Sequence, residues 1–295
     1  MTDLRILIVM SEQPITGGFF MTPLPANFFD DAIRIYPRQH YAHGQWHQEP
    51  AEVVIEEPLT LFINGREFVT MVVTPTNIQE LIVGFLAAEG FITNAEEIRV
   101  FQYHPDDKQV WIRVPHLKAE QLNQFGKRYL SGCCGRGRPG FYFADDADVE
   151  PLHLPTRPYH LDVQRINHLF LELTQYTHQQ HSGGLHAAGL ADSEHMIAVR
   201  FDAGRHNALD KLYGYTLLHQ ITRDNKVIVF SGRLSAEVII KTGRMGIPLI
   251  ISNAAPTTMG LELADALGIT VIGFVRNDEM SIYTHEERLS TITTL

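Results

Sequence analysis

The sequence predicts an α/β protein, α+β overall, in which a C-terminal domain with a mixed, largely parallel β-sheet follows a smaller α+β domain. In the second half of the chain, short apolar runs alternate with helix-length amphipathic segments, which is typical of βαβ units. In the first half, Asn64-Gly65 separates two apolar runs and indicates a β-hairpin. A polar stretch at 145–158 contains three prolines and marks the boundary between the domains.

The composition is that of a globular protein, with 44% hydrophobic and 20% charged residues in 295. A net charge of −10 argues against binding to nucleic acid or to a membrane surface. The two cysteines are too few for a disulfide framework or a four-cysteine zinc site, and they favour a reducing, cytoplasmic location. Because no uninterrupted apolar stretch reaches 18 residues, we expect no membrane span, and we expect no metal site.

Residues 1–50 are irregular in pattern and contain five prolines, so we expect an N-terminal arm or leader, with Met21 as a possible start. His40, His43 and His47 lie close together in this segment and could bind a metal ion. A solvated histidine-rich arm is the preferred interpretation, because no helix or strand signal fixes their geometry.

The small domain is expected at 51–144. A hairpin at 57–74 should be followed by a helix that Asn77 caps and Gly90 ends. A second hairpin is expected at 98–114, and the domain closes with a loop that contains both cysteines.

The larger domain is expected at 159–295 and begins with an amphipathic helix at 162–178. Strands and helices then alternate along the chain. The expected strands are 185–191, 196–201, 227–230, 248–251 and 270–274, and the expected helices are 205–221, 234–245 and 257–267.

Cys133 and Cys134 are adjacent and flanked by glycines, which favours an open loop. Nearby positive charge lowers the pKa of a thiol and raises the fraction of reactive thiolate. Burial of the pair as small apolar residues would fit poorly with four neighbouring cations. These cations are Lys127, Arg128, Arg136 and Arg138.

Three turns, at 202–211, 231–235 and 253–257, each lead from a strand into a helix, and two of them carry Arg205 and Arg233. Ligands of open α/β sheets bind at the carboxyl ends of strands, and helix N-termini favour phosphate. Each turn alone could be a plain helix cap, but together they predict an anionic, nucleotide-like ligand. None matches a Walker A loop, a GxGxxG fingerprint or a GxSxG elbow.

His186 permits a comparison with the zinc nucleobase deaminases, which use a His-x-Glu step and two later cysteines. Here the step is His186-Ala187-Ala188, and no cysteine follows it. Deaminase chemistry is therefore excluded, whereas a related fold is not. A structural role for His186 is an open alternative.

Taken together, these motifs resemble the FdhD family of formate dehydrogenase accessory sulfurtransferases, from about residue 57 to 287. The segments that carry the resemblance are Asn64-Gly65, Thr74-Pro75, Glu80-Leu81 with Gly84-Phe85 and Glu89-Gly90, 183–188, 204–211, 231–235 with Glu237 and Lys241, 255–257, 273–276 and 283–284.

The resemblance implies a cytidine-deaminase-like C-terminal domain, a homodimer, and two protein partners, a cysteine desulfurase and formate dehydrogenase. It implies that sulfur passes through a cysteine persulfide to a bound substrate, the bis(molybdopterin guanine dinucleotide) molybdenum cofactor, which a GDP-like nucleotide could mimic. The turns and the resemblance together give the expected cofactor contacts, which are His186, Arg205, His206, Asn207, Asp210, Lys211, Ser231, Gly232, Arg233, Ala255, Pro256, Thr257, Phe274, Val275, Arg276, Asn277, Asp278 and Glu279.

The catalytic thiol is expected at Cys133 or Cys134. The family loop reads Cys-Gly-x-Cys-Gly, and either residue can take its first position, although only Cys134 keeps the Cys-Gly step. Two other functions stay open: a non-catalytic chaperone of the same cofactor, and a redox switch through a vicinal disulfide, whose ring would be strained.

Overall fold

The computed structural model describes residues 32–118, 120–122, 159, 161–178 and 183–289. Within these ranges the chain forms a two-stranded, a four-stranded and a six-stranded sheet, together with five α-helices. The predicted α+β class is confirmed. Among the helices of the described ranges, none is long and apolar enough to cross a membrane.

The first sheet is a hairpin of β1 (Ile33–Ala42) and β2 (Gln45–Val54). Its turn residues His43 and Gly44 have φ angles of 51° and 84°, as a two-residue hairpin turn requires. The irregular pattern expected up to residue 50 is therefore wrong from Ile33 onward. The prolines misled the prediction, because Pro37 and Pro50 pair directly across the strands, where both can be accommodated in a two-stranded ribbon.

The four-stranded sheet has the order β4-β3-β6-β5, in which β3 and β6 are parallel and the other pairs antiparallel. Asn64 and Gly65 form the predicted turn, with φ angles of 51° and 81°. The helix α1 starts after Asn77 as expected, although the Asn77 side chain makes no capping hydrogen bond. The bounds are β3 (Glu57–Ile63), β4 (Arg66–Val73), α1 (Ile78–Ala88), β5 (Val100–His104) and β6 (Gln109–Arg113).

The six-stranded sheet and its helices make up the second half of the described chain. Its strands are β7 (His186–Ala191), β8 (Met196–Asp202), β9 (Val227–Phe230), β10 (Leu249–Ser252), β11 (Thr270–Arg276) and β12 (Glu279–Thr284). Its helices are α2 (Val163–His178), α3 (Arg205–Leu218), α4 (Ala236–Met245) and α5 (Thr258–Leu267).

The order of this sheet is β12-β11-β10-β9-β7-β8, and only β9, β10 and β11 are mutually parallel. The sheet is mixed as predicted, but the expectation of a largely parallel sheet is wrong. The connections explain this, because β7–β8 and β11–β12 are joined by short turns that permit only antiparallel pairing. The cytidine-deaminase-like description stays a prediction.

The sheet lies between two helical layers. Val227 and Val229 of β9 face α2, and Ile228 and Phe230 face α3 and α4. Because both faces are covered, β9 and β10 are apolar without alternation, which is the pattern that made them recognisable in the sequence.

Helices α1 and α3 cross at two glycines and join the two predicted domains. A Cβ atom on Gly84 would lie 1.8 Å from the Asp210 carbonyl oxygen, and one on Gly214 would lie 1.8 Å from the Glu80 carbonyl oxygen. The Arg200 guanidinium holds both oxygens of Glu80 across the same junction. A single apolar core therefore runs from β3 and α1 into α3 and α4.

We predict that Gly84→Ala destabilises the protein by at least about 3 kcal/mol. The clash with backbone atoms of α3 outweighs the gain of about 1 kcal/mol in helix propensity. Urea unfolding measures the effect. Gly184→Ala is the control, since its nearest contact is a Val54 methyl group at 3.0 Å, and it should cost less than about 0.5 kcal/mol. A Gly84→Ala variant as stable as the control would refute the close crossing.

Candidate functional site

The topology brings the predicted turns to one edge of the six-stranded sheet. β8 through β11 end at this edge, and β7 begins there, since His186 pairs with Asp202 and the amide of Ser231 donates to the carbonyl of Ala187 (3.0 Å). His186 and the starts of α3, α4 and α5 therefore meet where ligands of α/β sheets usually bind.

Asp202 organises the first turn and is fully buried. One carboxylate oxygen lies 2.8 Å from the Lys211 ammonium and accepts the Thr74 amide (3.1 Å). The other accepts the Gly204 amide (2.8 Å) and the Asn207 side-chain amide (3.0 Å). This carboxylate therefore fixes the start of α3 to the end of β4.

Lys211 and Asp210 were expected to contact the cofactor, and both lie buried beneath the edge. The Lys211 ammonium also donates to the carbonyls of Thr74 (2.9 Å) and Phe201 (3.0 Å), and burial lowers its pKa. Asp210 pairs with Lys241, and burial raises the Asp210 pKa to about 6 although Lys241 opposes the shift. Both side chains therefore stabilise the edge from below and are not exposed where a ligand would bind.

Two further predicted contacts have structural partners. The Ser231 hydroxyl oxygen accepts the Ala187 amide (2.8 Å) and so joins β7 to the turn after β9. The Asn207 side-chain amide donates to the Val72 carbonyl (2.9 Å) as well as to Asp202. Both side chains shape the edge through these bonds.

Three buried polar atoms at the starts of α3 and α4 have no hydrogen-bond partner: Arg205 Nε, His206 Nε2 and Ser235 Oγ. Ser235 occupies the N-cap position of α4, yet its side chain caps nothing. At the start of α5, by contrast, Thr257 Oγ1 accepts the Gly260 amide (3.1 Å), which is a plain helix cap. Unsatisfied buried groups are costly and cluster at functional sites, so the first two turns are the stronger candidates for ligand contact.

The two histidines at this edge are neutral at neutral pH. Burial, followed by the charges of Lys241 and Arg205, lowers the pKa of His206 to about 3. Burial and Arg205 also lower the pKa of His186. His206 Nε2 lies 3.3 Å from a Glu237 carboxylate oxygen without the geometry of a hydrogen bond. Neutral imidazoles can donate to or accept from a ligand, while Arg205 supplies positive charge.

Gly232 allows Arg205 to approach the turn after β9. A Cβ atom on Gly232 would lie 2.6 Å from the Phe230 ring and 3.2 Å from Arg205 Cβ. Arg233 follows on the same turn and is exposed. The two arginines predicted from the sequence therefore belong to neighbouring turns of one edge.

The turns after β9 and β10 are tied to each other. The Leu234 amide donates to the Ala255 carbonyl (3.2 Å), and the Thr257 amide donates to the Leu234 carbonyl (3.0 Å). Ala255, Pro256 and Thr257 are thus held beside the start of α4 and form the rim of the edge, partly exposed.

The predicted contact segment 274–279 is a hairpin turn that leaves this cluster. Phe274 is 37% exposed and has a φ angle of 54°. Asp278 accepts a hydrogen bond from Asn167 of α2 (3.1 Å), so the tip lies on the α2 side of the sheet, away from Arg205. The other members of the segment are the buried Val275 and the exposed Arg276, Asn277 and Glu279.

Cys133 and Cys134 lie outside the described residues, as does the segment 123–158 around them. Within the described ranges, no group of three His, Cys, Asp or Glu side chains could hold a metal ion. A shallow cavity of about 440 Å³ opens on the four-stranded sheet beside Trp111 and Arg113, and takes no part in the edge.

Sequence reasoning missed Ser235 and Glu237 as members of the site. Both belong to the segment that resembles the family, but neither was given a role. The available signal was a serine at the start of a predicted helix, which by itself indicates only a cap. That the Ser235 side chain makes no capping hydrogen bond is seen only in the structure.

We predict that His206→Gln flattens the acid limb of the stability profile. As pH falls below about 6.5, the unfolded chain takes up a proton on His206 that the folded protein excludes until a pH of about 3. The wild-type free energy of unfolding should therefore fall relative to the variant by about 1.4 kcal/mol per pH unit between about pH 6 and pH 4. Urea unfolding of both proteins across this range measures the difference. Asp210 also titrates in this range, but it is present in both proteins and does not contribute to the difference. A difference independent of pH would contradict the burial of His206.

Comparison with known proteins covers most of the described chain. The sequence profile of the FdhD/NarQ family matches residues 54–290. The chain is 42% identical to the sulfur carrier protein FdhD of Bacillus pumilus (strain SAFR-032) over 251 residues, which cover 85% of this chain and 95% of the relative. It is 40% identical to that of Bacillus subtilis (strain 168) over 250 residues, which cover 84% and 94%.

A crystal structure described as that of a formate dehydrogenase accessory protein from Desulfotalea psychrophila has a similar fold. It superposes with a TM-score of 0.67 at 25% sequence identity, and the match covers 88% of this chain and 99% of that one. Profile, sequence identity and fold agree over most of the chain. This chain therefore belongs to the FdhD/NarQ family.

Proposed function

We propose that this protein is a cytoplasmic sulfur carrier that accepts persulfide sulfur from a cysteine desulfurase and passes it to the bis(molybdopterin guanine dinucleotide) molybdenum cofactor, the form that formate dehydrogenase requires. The relatives at 40–42% identity are named sulfur carrier proteins. The structural neighbour is named a formate dehydrogenase accessory protein. Both names support a sulfur-carrier role connected with formate dehydrogenase. That the molybdenum cofactor receives the sulfur is our own proposal.

The observation that carries the substrate assignment is the set of unpartnered polar atoms on Arg205, His206 and Ser235. They lie at the starts of two helices, where backbone amides and the helix dipole favour an anion. A guanine dinucleotide offers phosphate oxygens that can accept from the guanidinium and the hydroxyl. The proposed contact set is therefore His186, Arg205, His206, Arg233 and Ser235.

The carrier step needs one thiolate. The thiolate of Cys133 or Cys134 attacks the outer sulfur of the donor persulfide, a new S–S bond forms, and the desulfurase cysteine leaves as its thiolate. No net electrons are exchanged in this step. Release of the sulfur as sulfide to the cofactor takes two electrons, which we assign to a thiol reductant. Arg136 and Arg138 raise the thiolate fraction of the neighbouring cysteines.

A second function, a non-catalytic cofactor chaperone, is supported by the same edge. The contact set of the ligand contains no cysteine, so binding and delivery could proceed without sulfur chemistry. The two functions differ in one respect: only the sulfur carrier depends on the cysteine pair.

We predict that incubation with a cysteine desulfurase and cysteine adds the mass of one sulfur atom to the peptide that contains Cys133 and Cys134. Intact-protein and peptide mass spectrometry measure the addition, and Cys133→Ser and Cys134→Ser serve as matched controls for each other. One single variant should lose the addition and the activation of formate dehydrogenase together. If the double variant still activates formate dehydrogenase, the sulfur-carrier function is wrong and the chaperone function is supported.

A further inference from the structure

Three histidines lie near the tip of the ribbon that β1 and β2 form. On the sequence alone, a solvated arm is preferred over a metal site, because no strand or helix signal fixes their geometry. The structure removes this objection, because His40 lies on β1, His47 lies on β2, and the two residues pair directly across the strands. His43 belongs to the turn between the strands and has a φ angle of 51°.

His40 and His47 form an imidazole pair on one face of the ribbon. Side chains of directly paired residues project from the same face, with Cβ atoms about 4.5–5.5 Å apart. Two imidazoles at this spacing can bind one ion, since each metal–nitrogen bond is about 2.0–2.1 Å long. The His40 side chain is 43% exposed, and His47 is exposed as well. Within the described residues neither ring makes a hydrogen bond, so both rings are open to an ion from solution.

Glu49 and Arg38 orient the His40 ring from the same face. Nδ1 of His40 lies 3.6 Å from Oε1 of Glu49, and this oxygen accepts hydrogen bonds from the Arg38 guanidinium (2.9 Å and 2.6 Å). The carboxylate favours a proton on Nδ1, which leaves the lone pair of the neutral imidazole on Nε2. Histidines that bind metal ions usually present their second nitrogen to such a carboxylate. Glu49 also neutralises Arg38, whose charge would otherwise repel an ion.

We propose that His40 and His47 form a two-histidine site for a divalent transition-metal ion, which ties β1 to β2. Neutral imidazole binds Zn²⁺, Ni²⁺ and Cu²⁺, whereas Mg²⁺ and Ca²⁺ require oxygen ligands. Within the described ranges no third His, Cys, Asp or Glu side chain completes a metal-binding group with the pair, so water fills the remaining positions. Two protein ligands predict binding in the micromolar range, weaker than at a structural site with four ligands.

A bound ion stabilises the ribbon. The hairpin forms a sheet of its own, and no other strand of the described chain pairs with it. A two-stranded hairpin by itself is marginally stable in water. An ion that binds the folded ribbon but not the open chain shifts the equilibrium towards the folded ribbon. The metal ion therefore acts as a cross-strand clip at the third residue pair from the turn.

Calorimetric titration of the full-length protein with Zn²⁺ tests the ligands. Cys133 and Cys134 are changed to serine and no affinity tag is kept, because thiolates and the histidines of a tag bind Zn²⁺ themselves. One Zn²⁺ should bind per chain in the micromolar range, and His40→Gln and His47→Gln should each abolish this binding. Glu49→Gln should weaken it about tenfold, because the His40 ring loses its orientation.

His43→Asn is the matched control for the titration. It removes a histidine from the same ribbon, and asparagine tolerates the positive φ angle of the turn. This variant should bind Zn²⁺ within about twofold of the parent protein, since the turn residue is not a ligand. The proposal is overturned if the parent protein does not bind Zn²⁺, if His43→Asn loses as much affinity as His47→Gln, or if no substitution in the ribbon changes the affinity.

Hydrogen exchange tests the role of the ion as a clip. Saturating Zn²⁺ should slow amide exchange in β1 and β2 at least about tenfold and leave β3 to β6 unchanged. The His47→Gln variant should show no change, and Mg²⁺ at the same concentration controls for ionic strength. Binding of Zn²⁺ without slower exchange in the ribbon would contradict the clip. Neither experiment depends on sulfur transfer or on nucleotide binding, so each result is independent of the proposed function.

Discussion

The buried ion pair of Asp202 with Lys211 is the interaction on which the rest of the site depends. Both side chains are fully inaccessible, and their remaining polar atoms are bonded to the end of β4 and the start of α3. Removal of one partner from such a pair costs about 3–5 kcal/mol, because the other charge stays buried. The pair therefore holds the four-stranded sheet against the six-stranded one, together with the glycine crossing of α1 and α3. It also fixes the helix start that presents Arg205.

The edge above this pair is incompletely satisfied. Each buried polar atom without a partner costs about 1–3 kcal/mol, so its presence on a helix start needs a reason other than stability. Thr257 shows how this fold makes an ordinary cap, and Ser235 at the equivalent position of α4 departs from it. A ligand that offers hydrogen-bond acceptors to Arg205 Nε and Ser235 Oγ would satisfy these two atoms. This contrast within one molecule supports an anion-binding role for the second turn and a structural role for the third.

Periodicity and turn residues predicted most of the fold. The apolar strands β9 and β10, the helices between them and the hairpin at Asn64-Gly65 all follow from local pattern. The β1–β2 ribbon was missed because its prolines suggest irregular chain, and β12 because Asn277-Asp278 was interpreted as ligand contact rather than as a hairpin turn. At the site, the turns and arginines were predicted. The burial of Lys211 was not predicted, because the sequence motif does not distinguish a lysine that binds a ligand from one that pairs with a buried aspartate.

The most direct test of the ligand edge is calorimetric titration of the full-length protein with GDP. The account predicts saturable binding that Arg205→Ala and Ser235→Ala each weaken about tenfold, equivalent to about 1.4 kcal/mol. Arg113→Ala, which removes an exposed arginine from the other sheet, should change the affinity less than twofold. Absence of GDP binding, or equal affinity in all three variants, would contradict the assignment of this edge as the nucleotide site.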